Sequence, residues 1–178
     1  MNEKLSAGNH GDVLDWLYER GKRRAASAPG FDVERAISRA RAARAAGAVN
    51  FWSVLSPTER TAFESAARQQ AFAPGTLLMR EGEQAEAVFV ILDGWTKVCL
   101  DEDGQERIIA ERGPGDLIGE GGTAPGNVRS ASVIALEPVR ALVMMTRDYA
   151  AFVAAYPAVP DLVMKQTYDR PTRRPGRP

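Results

Sequence analysis

The sequence predicts a mainly β domain flanked by helices, of the α+β class. Hydrophobic residues make up 44% of the 178 residues and charged residues 26%, proportions typical of a soluble globular chain. Up to about residue 70 the apolar residues recur at helical spacing, whereas beyond residue 75 they fall into short runs. Ten of the 16 glycines lie between positions 75 and 126, and turn residues at such intervals are typical of a β-sandwich or barrel.

The first 50 residues predict a basic, helical N-terminal extension with a net charge of +3. Apolar residues at positions i, i+3 and i+4 predict one helix over residues 12–18, and a second is expected from about residue 32 to 46. Four arginines spread around the second helix: Arg35, Arg39, Arg41 and Arg44. We interpret these arginines first as a solvated face, and alternatively as a surface for nucleic acid or lipid.

The strongest helix signal covers residues 56–70. Ser56, with Pro57 at the first helical position and Glu59 three residues after the serine, forms a capping box with its preferred proline. A later helix is expected from Thr146, whose side chain could cap it, to Tyr156.

Between these helices, six short apolar runs predict strands: 76–79, 88–92, 96–100, 107–110, 130–136 and 139–145. Alternation in the last run places every second residue on one face of a sheet. There is no alternation of strands with helices here, which argues against a nucleotide site of the doubly wound type.

Residues 157–178 predict a short amphipathic stretch followed by a disordered basic tail rich in proline and arginine. The predicted domains are therefore 1–50, 51–156 and 157–178. The net charge is +3 over residues 1–50, −7 over residues 51–164 and +4 over residues 165–178.

Several function classes are excluded or disfavoured by composition. One cysteine (Cys99) and one histidine (His10) exclude an internal disulfide framework and zinc sites built from these residues, and leave little for histidine-dependent catalysis. No apolar run approaches the roughly 18 residues of a membrane span. We therefore expect a cytoplasmic protein without metal, catalytic residues or membrane contact.

One glycine-rich connection carries the residues suited to binding a ligand. Gly119, Gly121 and Gly122 permit unusual backbone torsions and a close approach to the chain, and successive N–H groups in such a turn can bind an anion. Arg129 offers a planar cation suited to phosphate, and Glu120 a carboxylate that can accept hydrogen bonds from ribose hydroxyls. Together they predict a receptor for a sugar phosphate, with a flexible surface loop as the alternative.

Residues 51–156 resemble the cyclic-nucleotide-binding domain of catabolite activator protein, of kinase regulatory subunits and of cyclic-nucleotide-gated channels. The resemblance rests on the lead-in Phe51–Glu59, on the blocks Arg80–Gly82 and Val88–Val98, and on Gly115–Glu120 followed by Arg129–Val133. Nine positions separate Glu120 from Arg129, the spacing typical of many members.

This resemblance implies an eight-stranded, jelly-roll-like β-roll with short C-terminal helices, closest to the Crp/Fnr-type regulators but without a helix-turn-helix. It implies cAMP or cGMP as the ligand and no other cofactor. The phosphate would lie on the amides around Gly121 and Gly122 beside Arg129, with Glu120 on the ribose 2′-hydroxyl. Five more residues are implied: Ser130 and Ser132 for phosphate or base, and Ile108, Ile109 and Val133 around the purine.

Four positions in two places depart from the family pattern. Gly121, Gly122 and Thr123 stand where the family usually has apolar residues, and Val128 where it often has proline. We expect a looser loop and a lower affinity.

The sequence is compatible with three functions. The first is a non-catalytic cyclic-nucleotide sensor that signals through its terminal helices to a protein partner or a second copy. The second is a DNA-binding regulator that uses its basic ends, 20–44 and 170–178. The third is a ligand-free interaction module docking through helices 12–46.

Overall fold

In this computed structural model, the structure describes residues 49–124, 126–161 and 163, and the single positions 38 and 42. The helix predicted over 12–18 and the tail 171–178 lie outside the described residues, as does the helix predicted over 32–46 except for residues 38 and 42, whose backbone is helical. The proposed division into domains at residues 50 and 156 therefore stays a prediction.

The described chain forms three α-helices, a short 3₁₀ helix and eight strands, and its backbone is helical again at residues 159–161. The helices are α1 (Phe51–Val54), α2 (Pro57–Ala66), the 3₁₀ helix (Glu120–Gly122) and α3 (Thr146–Ala155). The strands are β1 (Arg68–Phe72), β2 (Leu77–Met79), β3 (Ala87–Asp93), β4 (Thr96–Glu102), β5 (Gln105–Arg112), β6 (Leu117–Ile118), β7 (Ser132–Ala135) and β8 (Val139–Met145).

Two antiparallel four-stranded sheets contain these strands. The first sheet has the order β1-β8-β3-β6, and the second has the order β2-β7-β4-β5. This confirms the predicted eight-stranded β-roll with flanking helices.

The apolar residues form two main clusters, one on each face of the first sheet. The cluster between the sheets includes Phe89 and Ile91 of β3 and Val133 of β7. The other lies on the outer face of the first sheet and is covered by the helices. We call it the helix-covered cluster; it comprises Phe51, Leu55, Phe63, Val88, Val90, Leu117, Leu142, Met144, Tyr149, Phe152 and Val159.

Helix α2 begins as predicted but ends earlier. The Ser56 hydroxyl accepts a hydrogen bond from the Glu59 N–H and the Glu59 carboxylate accepts one from the Ser56 N–H, which confirms the capping box. The helix ends at Ala66, because the next residues, Arg68–Phe72, pair with β8 as an edge strand. That strand, mostly polar and exposed, carries no apolar signal, so the prediction of a helix to residue 70 was wrong there.

Two further local predictions need correction. Strand β6 has only two residues and was not predicted, since its pairing with β3 is a tertiary contact. Thr146 does not cap α3: Met145 is the N-cap residue, and Thr146 begins the helix with its hydroxyl donating to the Ala85 carbonyl at 2.6 Å.

Within the described ranges, no helix is long and apolar enough to cross a membrane. The same residues contain no group of three or more His, Cys, Asp or Glu side chains placed to hold a metal ion.

Candidate functional site

The glycine-rich loop between β6 and β7 begins with a tight turn. We call residues 119–131 the cassette loop; of these, Pro125 lies outside the described residues. Gly119 precedes the 3₁₀ helix, whose bonds run from the Gly122 N–H to the Gly119 carbonyl and from the Thr123 N–H to the Glu120 carbonyl. The Thr123 hydroxyl donates to the same Glu120 carbonyl at 2.7 Å. The amide of Gly122, expected to bind phosphate, thus donates within the turn here.

Of the three glycines singled out by sequence, only Gly119 has a left-handed backbone, with φ at +90°. A Cβ on Gly119 would also lie 2.4 Å from the Arg129 Nη1 atom, so glycine is required there twice over. Gly122 packs against Ala85, and Gly121 faces open space. Gly121 and Gly122 therefore do not use the left-handed torsions that glycine permits.

Arg129 is buried, with 6% of its surface exposed, and its guanidinium points into the protein. Nη1 donates to the Gly119 carbonyl at 2.9 Å, and Nη2 donates to the Ala87 carbonyl at 2.5 Å. These bonds account for two of the five guanidinium N–H donors. Arg129 thereby ties the cassette turn to the first residue of β3.

The backbone of Arg129 is held as firmly as its side chain. Its N–H donates to the Glu83 carbonyl, and its own carbonyl accepts from the Gly82 N–H, both at 2.8 Å. Next to Arg129, Val128 forms an isolated antiparallel β-bridge with Gln84. Residues 82–87, the segment that leads into β3, therefore form one wall of the site.

The electrostatic surroundings of Arg129 are acidic. Burial lowers the pKa of Arg129, and the nearby carboxylates of Glu120, Glu86 and Glu83 oppose that shift. Since the guanidinium is a very strong base, Arg129 stays charged at neutral pH. The site thus places one cation, Arg129, among three carboxylates.

Tyr149 of α3 also belongs to this neighbourhood, which the sequence did not reveal. Burial raises the pKa of its hydroxyl, and the negative charge of Glu120 raises that pKa further. Tyr149 lies in the helix-covered cluster, so the charge of Glu120 acts on a residue of that cluster. No local pattern signals this proximity, because the two residues are far apart in sequence.

The two serines are placed differently. Ser130 is exposed at the end of the cassette loop. Ser132 is buried, and its hydroxyl accepts a hydrogen bond from the Glu81 N–H at 3.0 Å. Ser132 pairs with Cys99 and alternates with Val133, so it lies on the face of the second sheet that points away from the first. Ser132 therefore holds the backbone at Glu81, whereas Ser130 follows Arg129 directly and is exposed.

The three apolar residues expected around the purine do not form one surface. Val133 lies in the cluster between the sheets, whereas Ile108 packs on the opposite face against Leu77, Cys99 and Ile134. Ile109 is the extra residue of a bulge between β4 and β5 and is partly exposed. Ile108 of β5 and Val133 of β7 therefore do not face the same pocket, because they lie on opposite faces of one sheet.

The structure thus brings together Gly119, Glu120, Gly122 and Arg129 of the predicted site residues, and adds Ala85, Ala87 and Tyr149. Sequence reasoning missed Ala85 and Ala87 because they contribute backbone carbonyls, which every residue type possesses.

A family model, the cyclic nucleotide-binding domain, matches residues 69–156. Among curated proteins, the chain is similar to the cyclic AMP receptor protein of Thermus thermophilus, with 29% identity over 106 residues, which are 59% of this chain and 49% of the relative. It is also similar to the Pycsar effector protein PaPycTIR of Pseudomonas aeruginosa, with 32% identity over 102 residues, or 57% and 32% of the two chains. The chain therefore spans about half or less of the length of these relatives.

Two solved structures share the fold. The catabolite activator protein of Thermus thermophilus matches with a TM-score of 0.60 and 26% identity over 66% of this chain and 56% of the other. A regulatory subunit of a cAMP-independent protein kinase A from Trypanosoma brucei, a mutant bound to cAMP, matches with a TM-score of 0.59 and 30% identity over 68% and 43% of the two chains.

Proposed function

We propose that the chain, whose residues 69–156 match the cyclic nucleotide-binding domain, is a non-catalytic receptor for cyclic AMP. The observation that carries the proposal is the buried Arg129 guanidinium, held against the Gly119 turn. In the proposed complex its other N–H groups pair with the phosphate oxygens, together with the Gly121 amide. Glu120 accepts a hydrogen bond from the ribose 2′-hydroxyl.

The charges around Arg129 support a cyclic monophosphate over other phosphates. A cyclic phosphate diester carries one negative charge, which one guanidinium neutralises, whereas the second charge of the 5′-AMP dianion would be left without a cation and repelled by Glu120, Glu86 and Glu83. The choice of adenine over guanine rests on the cAMP named for the Thermus thermophilus relative and held by the Trypanosoma brucei mutant.

Isothermal titration with cAMP, cGMP and 5′-AMP tests this function. We expect cAMP to bind most tightly and Arg129→Gln to weaken its binding at least about tenfold, because hydrogen bonds to a charged group are lost. Arg140→Gln is the matched control, since Arg140 is exposed and lies 3.7 Å from Asp93 on the surface. No heat with any cyclic nucleotide at millimolar concentration would overturn the proposal, and tighter binding of cGMP would overturn the choice of base.

We propose that the bound receptor signals through its terminal helices to a protein partner or a second copy, and that it does so in the cytoplasm. The proposal is supported by the position of α3, which begins against the segment that holds Arg129. Except for residues 38 and 42, the basic ends 20–44 and 170–178 lie outside the described residues, so their binding to DNA stays a hypothesis. A steep loss of DNA affinity with rising salt would favour it.

A further inference from the structure

We propose that Thr146, the first residue of α3, is a positioning residue for Arg129, and that it links ligand binding to the docking of α3. The proposal rests on the proposed function in one respect, namely that Arg129 holds the ligand phosphate. Thr146 acts on Arg129 through residues 85–87, which we call the shared segment.

Two hydrogen bonds attach Thr146 to one side of the shared segment. Its hydroxyl donates to the Ala85 carbonyl at 2.6 Å, and its backbone N–H donates to the Glu86 carbonyl at 2.8 Å. The hydroxyl bond spans 61 residues of sequence, so it is a tertiary contact, not a cap of the helix that Thr146 begins. Since any residue except proline could supply the N–H, the hydroxyl is what threonine adds.

Two contacts attach the cassette loop to the same segment. The Ala87 carbonyl accepts the hydrogen bond from Arg129 Nη2. The preceding carbonyl, that of Glu86, accepts the bond from the Thr146 N–H. A Cβ built on Gly122 would lie 3.0 Å from the Ala85 Cβ, so the 3₁₀ turn rests directly on the segment. Three consecutive residues therefore hold the start of α3 and the phosphate-binding arginine at once.

The short span leaves little freedom between the two attachments. Adjacent Cα atoms are about 3.8 Å apart across a trans peptide, so a shift of the Ala85 carbonyl is passed on to Ala87 within two peptide units. Without the threonine hydroxyl, the Ala85 carbonyl loses its partner, the segment becomes more mobile, and the acceptor that orients the guanidinium moves with it. By linkage, a ligand that fixes Arg129 also favours the docked position of α3.

The test compares Thr146→Val, which removes only the hydroxyl from a side chain of the same shape, with Thr146→Ser, which keeps it. Thr61→Val is the matched control, because the Thr61 hydroxyl donates to a backbone carbonyl within α2, that of Pro57, at 3.0 Å. Each purified full-length variant is titrated with cAMP. Hydrogen exchange of the Gly82 and Arg129 amides is followed by NMR without ligand, because these amides join the cassette loop to residues 82 and 83, just before the shared segment.

We expect Thr146→Val to weaken cAMP binding about threefold to tenfold and to speed exchange at both amides by a similar factor, as for one lost hydrogen bond. Thr146→Ser should restore both quantities to within about twofold of the wild type, and Thr61→Val should change neither. If Thr146→Val matches Thr61→Val in both measurements, or if Thr146→Ser fails to restore them, the proposal is wrong.

The two proposals fail separately. If the wild type binds no cyclic nucleotide, the proposed function is wrong, and amide exchange alone then decides whether Thr146 positions Arg129. If Thr146→Val does not fold, Thr146→Ala is measured in the same way, with Thr61→Ala as its control, and unchanged exchange in Thr146→Ala overturns the inference.

Discussion

The helix-covered cluster and the cassette loop are held together by different forces. In the cluster, Phe63 is fully buried and meets Phe51, Trp52 and Phe152 edge to face, with ring centroids 5.3–5.9 Å apart. In the cassette loop, the contacts are hydrogen bonds to backbone carbonyls, donated by backbone N–H groups, by the Thr123 hydroxyl and by the buried Arg129 guanidinium. Packing depends on volume and tolerates similar shapes, whereas the cassette depends on the position of individual donors and acceptors.

This difference separates stability from ligand binding. Removing volume from the cluster should reduce the free energy of unfolding and leave the ligand affinity of the folded protein nearly unchanged. Disturbing the cassette should cost less stability and more affinity.

The largest effect on stability is expected from Phe63→Ala. Because it removes a buried ring from three aromatic contacts, it should lower the free energy of unfolding by about 3–5 kcal/mol, as measured by urea denaturation. Phe63→Leu is the control and should cost clearly less, since most of the volume stays. A large loss of cAMP affinity in folded Phe63→Ala would break the proposed separation of the two regions.

A smaller effect on stability, with a larger one on affinity, is expected from Gly119→Ala. The new Cβ meets a left-handed φ and the Arg129 Nη1 atom at once, so unfolding should become easier by about 1–3 kcal/mol and cAMP binding should weaken. Gly121→Ala provides the control, because its Cβ would face open space and its φ is not left-handed. Urea denaturation and titration of both variants check this, and equal effects at the two glycines would contradict it.

The smallest effect concerns Tyr149, which belongs to the helix-covered cluster and lies near Glu120 of the cassette loop. Because its pKa is raised by folding, the unfolded tyrosine loses its proton above about pH 10 while the folded one keeps it, so stability falls as the pH rises through that range. Between pH 8 and pH 11 the wild type should lose about 1 kcal/mol more than Tyr149→Phe, which cannot titrate. Urea denaturation of both proteins at the two pH values measures this, and identical losses would show that Tyr149 is not shielded.

Much of the β-roll could be predicted from sequence because its strands carry local signals. All six predicted apolar runs overlap observed strands, and the Ser56–Glu59 capping box starts α2. Strands β1 and β6 were missed, since one is polar and the other has two residues. Their existence depends on pairing with β8 and β3, which no local pattern describes.

The candidate site was predictable in part for the same reason. Gly119, Glu120 and Arg129 are recognisable by residue type and by their spacing of nine positions between the acid and the arginine. The face of the sheet on which Ile108 lies could not be predicted, because a bulge opposite Val98 and Cys99 shifts the register of β4 against β5.

By itself the sequence determined the fold class, the strand-rich middle of the chain and the glycine, acid and arginine that mark the cassette, because apolar period, turn residues and capping pairs act over a few residues. Only the tertiary structure decided what Arg129 bonds to, where the Thr146 hydroxyl goes and that Tyr149 lies near Glu120. The physical reason is that the partners are backbone carbonyls and a distant carboxylate. A carbonyl is present at every residue, so only its position in the folded chain selects it.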